Sequence, residues 1–123
     1  MDLCGLSQRW GISDNLARRL VLSARDYIAE TGGTVTLISG FRTRAQQRSL
    51  GRSGRPAAPD ELSTHRSCPA TGADVSLGFA PTRIQKAIWG RVAVMNGLRW
   101  GGGGRVDEGG LPMDWPHVDL GPR

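Results

Sequence analysis

The chain contains two histidines, His65 and His117, and between them an aspartate, Asp74, spaced so that all three could bind one zinc ion. Sharing one ion makes a demand on the fold, because three stretches well separated in sequence must meet at a point. Those stretches read Ser63-Thr64-His65, Gly72-Ala73-Asp74 and Asp114-Trp115-Pro116-His117. Two imidazoles and one carboxylate leave a fourth position open for water, the composition of a catalytic zinc rather than a structural one. Hydrolysis at such an ion also needs a base to take the water's proton. Asp114, just ahead of His117, is the carboxylate placed for that task and for returning the proton to a leaving amine. With both histidines assigned to the metal, no third histidine exists to act as base.

At 123 residues the chain has room for one core, so it is read as a single domain over 1–123 with its motif-bearing part at about 34–120. Its 38% hydrophobic and 22% charged residues suit a soluble globular protein, and no stretch approaches the ~20 apolar residues of a membrane span. The first residues carry Asp2, Gln8 and Arg9 without an apolar run, so no signal peptide is expected and synthesis in a cytoplasm is. Cys4 and Cys68 are too few for a disulfide scaffold and neither has a partner at CxxC spacing, which argues for free thiols over thiolate zinc. Sixteen Lys and Arg against 11 Asp and Glu give a formal +5, with Lys86 the single lysine. That balance favours anionic polymers, among them nucleic acid, an acidic cell wall and lipid headgroups, or reflects an arginine-rich solvated surface. The basic residues are scattered, with no groove-reading motif or aromatic platform among them, so neither a nucleic-acid nor a membrane partner is expected. Gly101 to Gly104 lacks the lysine and the helix of a phosphate-binding loop.

Residues 13–29 place Leu16, Leu20, Leu22, Ala24 and Ile28 at helical spacing behind a capping Ser13 or Asp14, and Gly32-Gly33 ends that helix. Residues 34–38 alternate as a half-buried strand does. A short helix over 44–50 and a Gly/Pro-rich loop over 51–60 follow. Residues 73–77 form the second strand candidate. Pro81 and Thr82 start a helix that runs to about Met95, with Ile84, Ala87, Ile88, Val92 and Met95 on one face, and Asn96-Gly97 stops it. Residues 98–100 and 117–120 are the last strands. Between them, 101–110 holds six glycines and is expected to be mobile unless something binds in it. Trp10 and Trp89 are expected to pack, whereas Trp100 and Trp115 either line a cleft or join the core. The order of elements points to an α+β domain, a small, mostly antiparallel sheet with flanking helices.

Four segments in order, Ser39-Gly40-Phe41-Arg42-Thr43 with Gln47 and Leu50, Ser63-Thr64-His65 through Asp74, Gly97-Leu98-Arg99-Trp100-Gly101-Gly102, and residues 114–120, resemble the zinc D-alanyl-D-alanine carboxypeptidase family. That family includes phage L-alanyl-D-glutamate endolysins and shares its fold with lysostaphin-type peptidases and hedgehog domains. The resemblance spans about two thirds of the chain, and four motifs in sequence are a far stronger signal than any one of them. It implies a hedgehog or D-Ala-D-Ala-peptidase-like fold, with His65, Asp74 and His117 as ligands of one zinc ion and Asp114 as the base. Arg42 matches a substrate-facing arginine suited to an oxyanion or carboxylate, while Gln47 and Ser63 match polar positions beside the site. Trp100 is counted with them as a candidate substrate contact. Two positions depart from the family pattern. Asp74 stands nine residues after His65 where seven is usual, and Asp114 replaces the more frequent Glu.

The resemblance implies a zinc peptidase acting on the peptide stem of bacterial peptidoglycan, at either the D-Ala-D-Ala or the L-Ala-D-Glu bond. Small size and the expected lack of a signal peptide favour a phage or prophage setting, as a lysis enzyme or a wall-degrading part of a virion tail in contact with other tail proteins. The alternative is a non-catalytic virion structural protein that keeps the fold. Such a protein has no reason to keep a base at Asp114.

Overall fold

The computed structural model describes residues 11–40 and 70–121. Within them the chain runs through α1 (Asp14–Thr31), β1 (Thr36–Ser39), β2 (Gly72–Ser76), α2 (Arg83–Met95), β3 (Arg99–Trp100), a glycine turn at Gly101–Gly103 and β4 (His117–Asp119). The four strands form one open antiparallel sheet in the order β1-β2-β4-β3. Both helices cover one face of it, which makes the α+β architecture expected from the sequence. Among the described residues no helix is long and apolar enough to cross a membrane. The segments expected as a helix over 44–50 and a loop over 51–60 lie outside the described residues.

Local chemistry explains both helices. The Ser13 hydroxyl accepts the Leu16 N–H at 3.1 Å to start α1, and Gly32, at φ 69°, closes it with its N–H on the Ile28 carbonyl. A capping box of Thr82 and Gln85 starts α2, each side chain accepting the other's backbone N–H. The Arg19 guanidinium donates to the Asn96 carbonyl at 3.1 Å and so ties the two helices together at the end of α2.

The core lies between helices and sheet: Leu16, Ala17, Leu20 and Tyr27 from α1, Trp89, Val92 and Ala93 from α2, and Leu37, Ala73, Val75 and Val118 from the strands. Because side chains alternate across a strand, burying Ala73, Val75 and Val118 turns Asp74, His117 and Asp119 to the opposite face. Two expected helix faces are corrected. On α1, Leu22 and Ile28 are exposed while Ser23 and Tyr27 are buried, the Ser23 hydroxyl being satisfied by the Arg19 carbonyl at 2.7 Å. On α2 the buried arc is Trp89, Gly90, Val92 and Ala93, and of the expected stripe only Val92 belongs to it, with Ile84 73% and Met95 75% exposed. The reason is tertiary. The Trp100 ring from β3 lies against Gly90, where an added Cβ would approach it to 2.3 Å, and Trp89 meets the Tyr27 ring edge-on at 6.2 Å. Two large aromatic contacts outweigh the burial of an isoleucine and a methionine at the helix ends.

The glycine-rich segment is also more ordered than its composition suggests. Asp107 accepts the Gly109 and Leu111 N–H groups at 2.9 and 3.0 Å, and it pairs with Arg83 at 2.6 Å. Backbone bonds from Asp107 to Leu111 and from Met113 to Arg105, both 2.8 Å, close a narrow hairpin. The second half of the segment is thus tied to itself and, through Arg83, to α2.

Candidate active site

β2 and β4 pair with Asp74 directly opposite His117, so two of the three expected ligands come together through strand register. Nδ1 of His117 lies 3.2 Å from Oδ1 of Asp74, and Nε2 lies 2.7 Å from Oδ2 of Asp119, two residues along the same strand. His117 is 7% exposed and Asp119 not at all. Arg99, opposite Asp119 on β3, reaches it with two parallel bonds of 2.9 Å, and the Gly121 N–H adds a third at 2.7 Å.

These contacts fix the electrostatics. Burial acts to lower the pKa of His117, but hydrogen bonds to Asp119 and Asp74 and the charges of both carboxylates outweigh it and carry it up to about 9. Burial likewise opposes ionisation of Asp119, and the bonds from His117 and Arg99 overcome it, holding the carboxyl down at about 2. Without a metal, the site is an imidazolium between two carboxylates.

The pair suits a zinc ion. Tetrahedral bonds of about 2.0–2.1 Å set ligand atoms about 3.3–3.4 Å apart, close to the 3.2 Å between Nδ1 of His117 and Oδ1 of Asp74. Replacing the Nδ1 proton with the ion therefore asks little movement of either side chain. Among the described residues no group of three or more His, Cys, Asp or Glu side chains is arranged to hold a metal. The third expected ligand, His65, lies outside them, as do Arg42, Gln47 and Ser63.

Asp114 is half-buried, and its carbonyl accepts the His117 N–H at 3.0 Å, so a tight turn carries the expected base directly into the strand of His117. Pro116 continues that turn onto the sheet by accepting the Val75 N–H at 3.0 Å. Trp100 stands elsewhere. It pairs with Val118 and so faces the helices, away from Asp74 and His117, and its Nε1 donates to the Trp115 carbonyl at 2.8 Å. From there the indole braces the turn that bears Asp114. Trp115 is half-buried against the core and receives the Lys86 ammonium over its ring at 4.9 Å.

Sequence reasoning passed over Asp119 and Arg99. The period of two along a strand puts residue 119 on the face of His117, so Asp119 was within reach of the pattern; Arg99 depends on the register of β3 against β4, which no local signal carries.

No protein-family model matches this chain, and no curated protein matches its sequence. Among solved structures, the L-Ala D-Glu endopeptidase ChiX of Serratia marcescens superposes on it with a TM-score of 0.58, covering 89% of this chain and 80% of that one. The two share a fold. At 20% identity the likeness extends to architecture alone.

Proposed function

We propose that this chain is a zinc-dependent peptidase that hydrolyses a peptide bond in the stem of bacterial peptidoglycan. The observation that carries the reading is the cross-strand placement of Asp74 beside Nδ1 of His117 at the separation of two zinc ligands, in a fold shared with an L-Ala D-Glu endopeptidase. His65, Asp74 and His117 are the proposed ligands. Zinc bound there would supply Lewis-acid polarisation of the scissile carbonyl and an acidified water. Asp114 is the carboxylate that would accept a proton from the attacking water and return it to the leaving amine, and its turn geometry keeps it in step with His117. Arg42 offers paired N–H donors to developing negative charge or to a substrate carboxylate, with Gln47 and Ser63 as further substrate contacts. The scissile bond is D-Ala-D-Ala or L-Ala-D-Glu, and a role in phage lysis or in a virion tail accommodates either.

The test is mass spectrometry of purified peptidoglycan fragments incubated with the protein, with and without a chelator, followed by zinc restoration. Loss of a terminal alanine identifies a carboxypeptidase, and a cut after L-alanine identifies an endopeptidase. Intact fragments from folded, zinc-loaded protein would overturn the peptidase reading in favour of the non-catalytic one.

A further inference from the structure

We propose that Asp119, anchored by Arg99, is a positioning residue that holds the His117 ring with Nε2–H bonded to itself and presents Nδ1 alone toward Asp74. The inference deepens the proposed zinc reading, but the hydrogen bond at its centre exists with or without a metal.

A histidine ring has two nitrogens and two neutral tautomers, and in a symmetric environment either nitrogen can take a metal. The surroundings of His117 are not symmetric. Asp74 on the neighbouring strand faces one nitrogen and Asp119 on the same strand faces the other. Either carboxylate could in principle be the metal's. The hydrogen bonding of Asp119 rules that one out. A carboxylate has about four acceptor positions, and Asp119 fills that number: Oδ1 accepts from Arg99 Nε and the Gly121 N–H, and Oδ2 accepts from Arg99 Nη2 and His117 Nε2, all between 2.7 and 2.9 Å. Fully buried and saturated, Asp119 has no lone pair to give an ion, whereas its charge and geometry suit it to hold an N–H donor in place.

The third side of the ring is closed by backbone. Gly102, at φ +65°, lies so near that an added Cβ would stand 3.2 Å from Cδ2 and 3.6 Å from Nε2 of His117. The direction of the Nε2 lone pair is already taken by Oδ2 of Asp119 at 2.7 Å, and a ring flip would turn Nδ1 toward Gly102 and a carbon, Cε1, toward Asp119. Arg99 matters because a buried carboxylate without a cation is costly. Its two parallel bonds keep Asp119 ionised and fix the plane in which Nε2–H is received.

Nitrogen-15 NMR of histidine-labelled protein tests this. With only His65 and His117 present, a His65→Gln variant leaves one imidazole to observe. In metal-free protein we expect a slowly exchanging, low-field Nε2 proton on His117 that Asp119→Ala abolishes and Asp119→Asn, still an acceptor, retains. In protein that keeps His65, with the His117 signal assigned from the variant, added zinc should remove the Nδ1 proton of His117 and spare the one on Nε2. Zinc affinity, measured by competition with a chromophoric chelator in protein that keeps His65, should fall about 10–100-fold in Asp119→Ala, with Arg99→Lys between it and the parent. If Asp119→Ala does not fold, Arg99→Lys carries the comparison through its reduced zinc affinity and faster exchange of the Nε2 proton.

Loss of the Nε2 proton on zinc binding, or Asp119→Ala and Arg99→Lys variants with unaltered proton signal and zinc affinity, would overturn the inference. A protein that shows the Asp119-dependent Nε2 proton yet takes up no zinc would retain the positioning role and remove the zinc reading, so the two fail separately.

Discussion

The buried imidazolium of His117 ties the stability of the metal-free protein to pH from both sides. Its folded pKa of about 9 lies above its ordinary 6.5, so its contribution is complete below pH 6.5 and disappears as pH rises through 9. Asp119 runs the other way: held at about 2 against an ordinary 3.8, it contributes fully above pH 3.8 and loses that contribution as pH falls through 2. Thermal unfolding in chelator should therefore show a plateau between about pH 4 and 6.5 with a decline on either side. In His117→Gln the alkaline decline should shrink, and parallel alkaline limbs in variant and parent would mean that the imidazolium is not paired as described. Asp114→Asn is the residue-scale test of chemistry. It should keep zinc and lose activity by about 10²–10⁴-fold, the usual contribution of a general base. Full activity in that variant would direct attention to Glu108, because Asp107 is already engaged by Arg83 and by the N–H groups of its own turn.

Between elements, one contact organises the approach of β3 and the site turn to α2. The Trp100 ring lies on Gly90, and its N–H reaches the Trp115 carbonyl next to Asp114. Gly90→Ala gains about 1 kcal/mol of helix propensity, but overpacking a fitted interface costs about 1–3 kcal/mol, and a 2.3 Å approach to a rigid ring belongs at the upper end of that range. A net destabilisation of about 1–2 kcal/mol is expected in urea unfolding. Adding Trp100→Ala should make the double variant less destabilised than the sum of the two singles, the mark of a shared contact. Strict additivity would show that ring and helix do not touch. This contact also explains what the sequence could and could not disclose. Ser13, Gly32, Thr82 and Gln85 announce the helix ends because capping is settled within four residues. The alternation around Asp74 and His117 announces strands for a similar reason. The buried arc of α2 is set by a tryptophan from another element, and the order of the segment after β3 is set by Asp107 meeting Arg83 across 24 residues. Neither leaves a local trace. In the site, Asp74 and His117 were legible as chemistry-bearing residues, whereas the Arg99 and Asp119 support emerges only with the register of the sheet. Of the remaining expected site residues, Arg42, Gln47, Ser63 and His65 fall outside the described residues.

For the whole molecule, the proposed zinc is a cross-link between distant parts of one chain. Asp74 and His117 are 43 residues apart and meet only because β2 and β4 pair; His65 would add a third attachment from a stretch that precedes β2. An unfolded chain cannot hold those groups together, so the ion binds the native state and stabilises it by mass action. At a free zinc concentration one hundred times the dissociation constant the gain is about 2.7 kcal/mol, which for a domain of this size corresponds to a rise in Tm of roughly 8–16 °C. His65→Ala, Asp74→Ala and His117→Ala should each abolish most of that rise while differing in their metal-free Tm, since His117 also carries the pairing with Asp119. Asp74→Ala is the sharpest of the three. Its distance from His65 is two residues longer than the family pattern, and only the register of β2 against β4 argues that it, and no other carboxylate, faces Nδ1. A full zinc-dependent rise in Asp74→Ala would transfer the ligand to another residue, whereas its loss, with zinc stoichiometry falling alongside, would show that strand register places the metal.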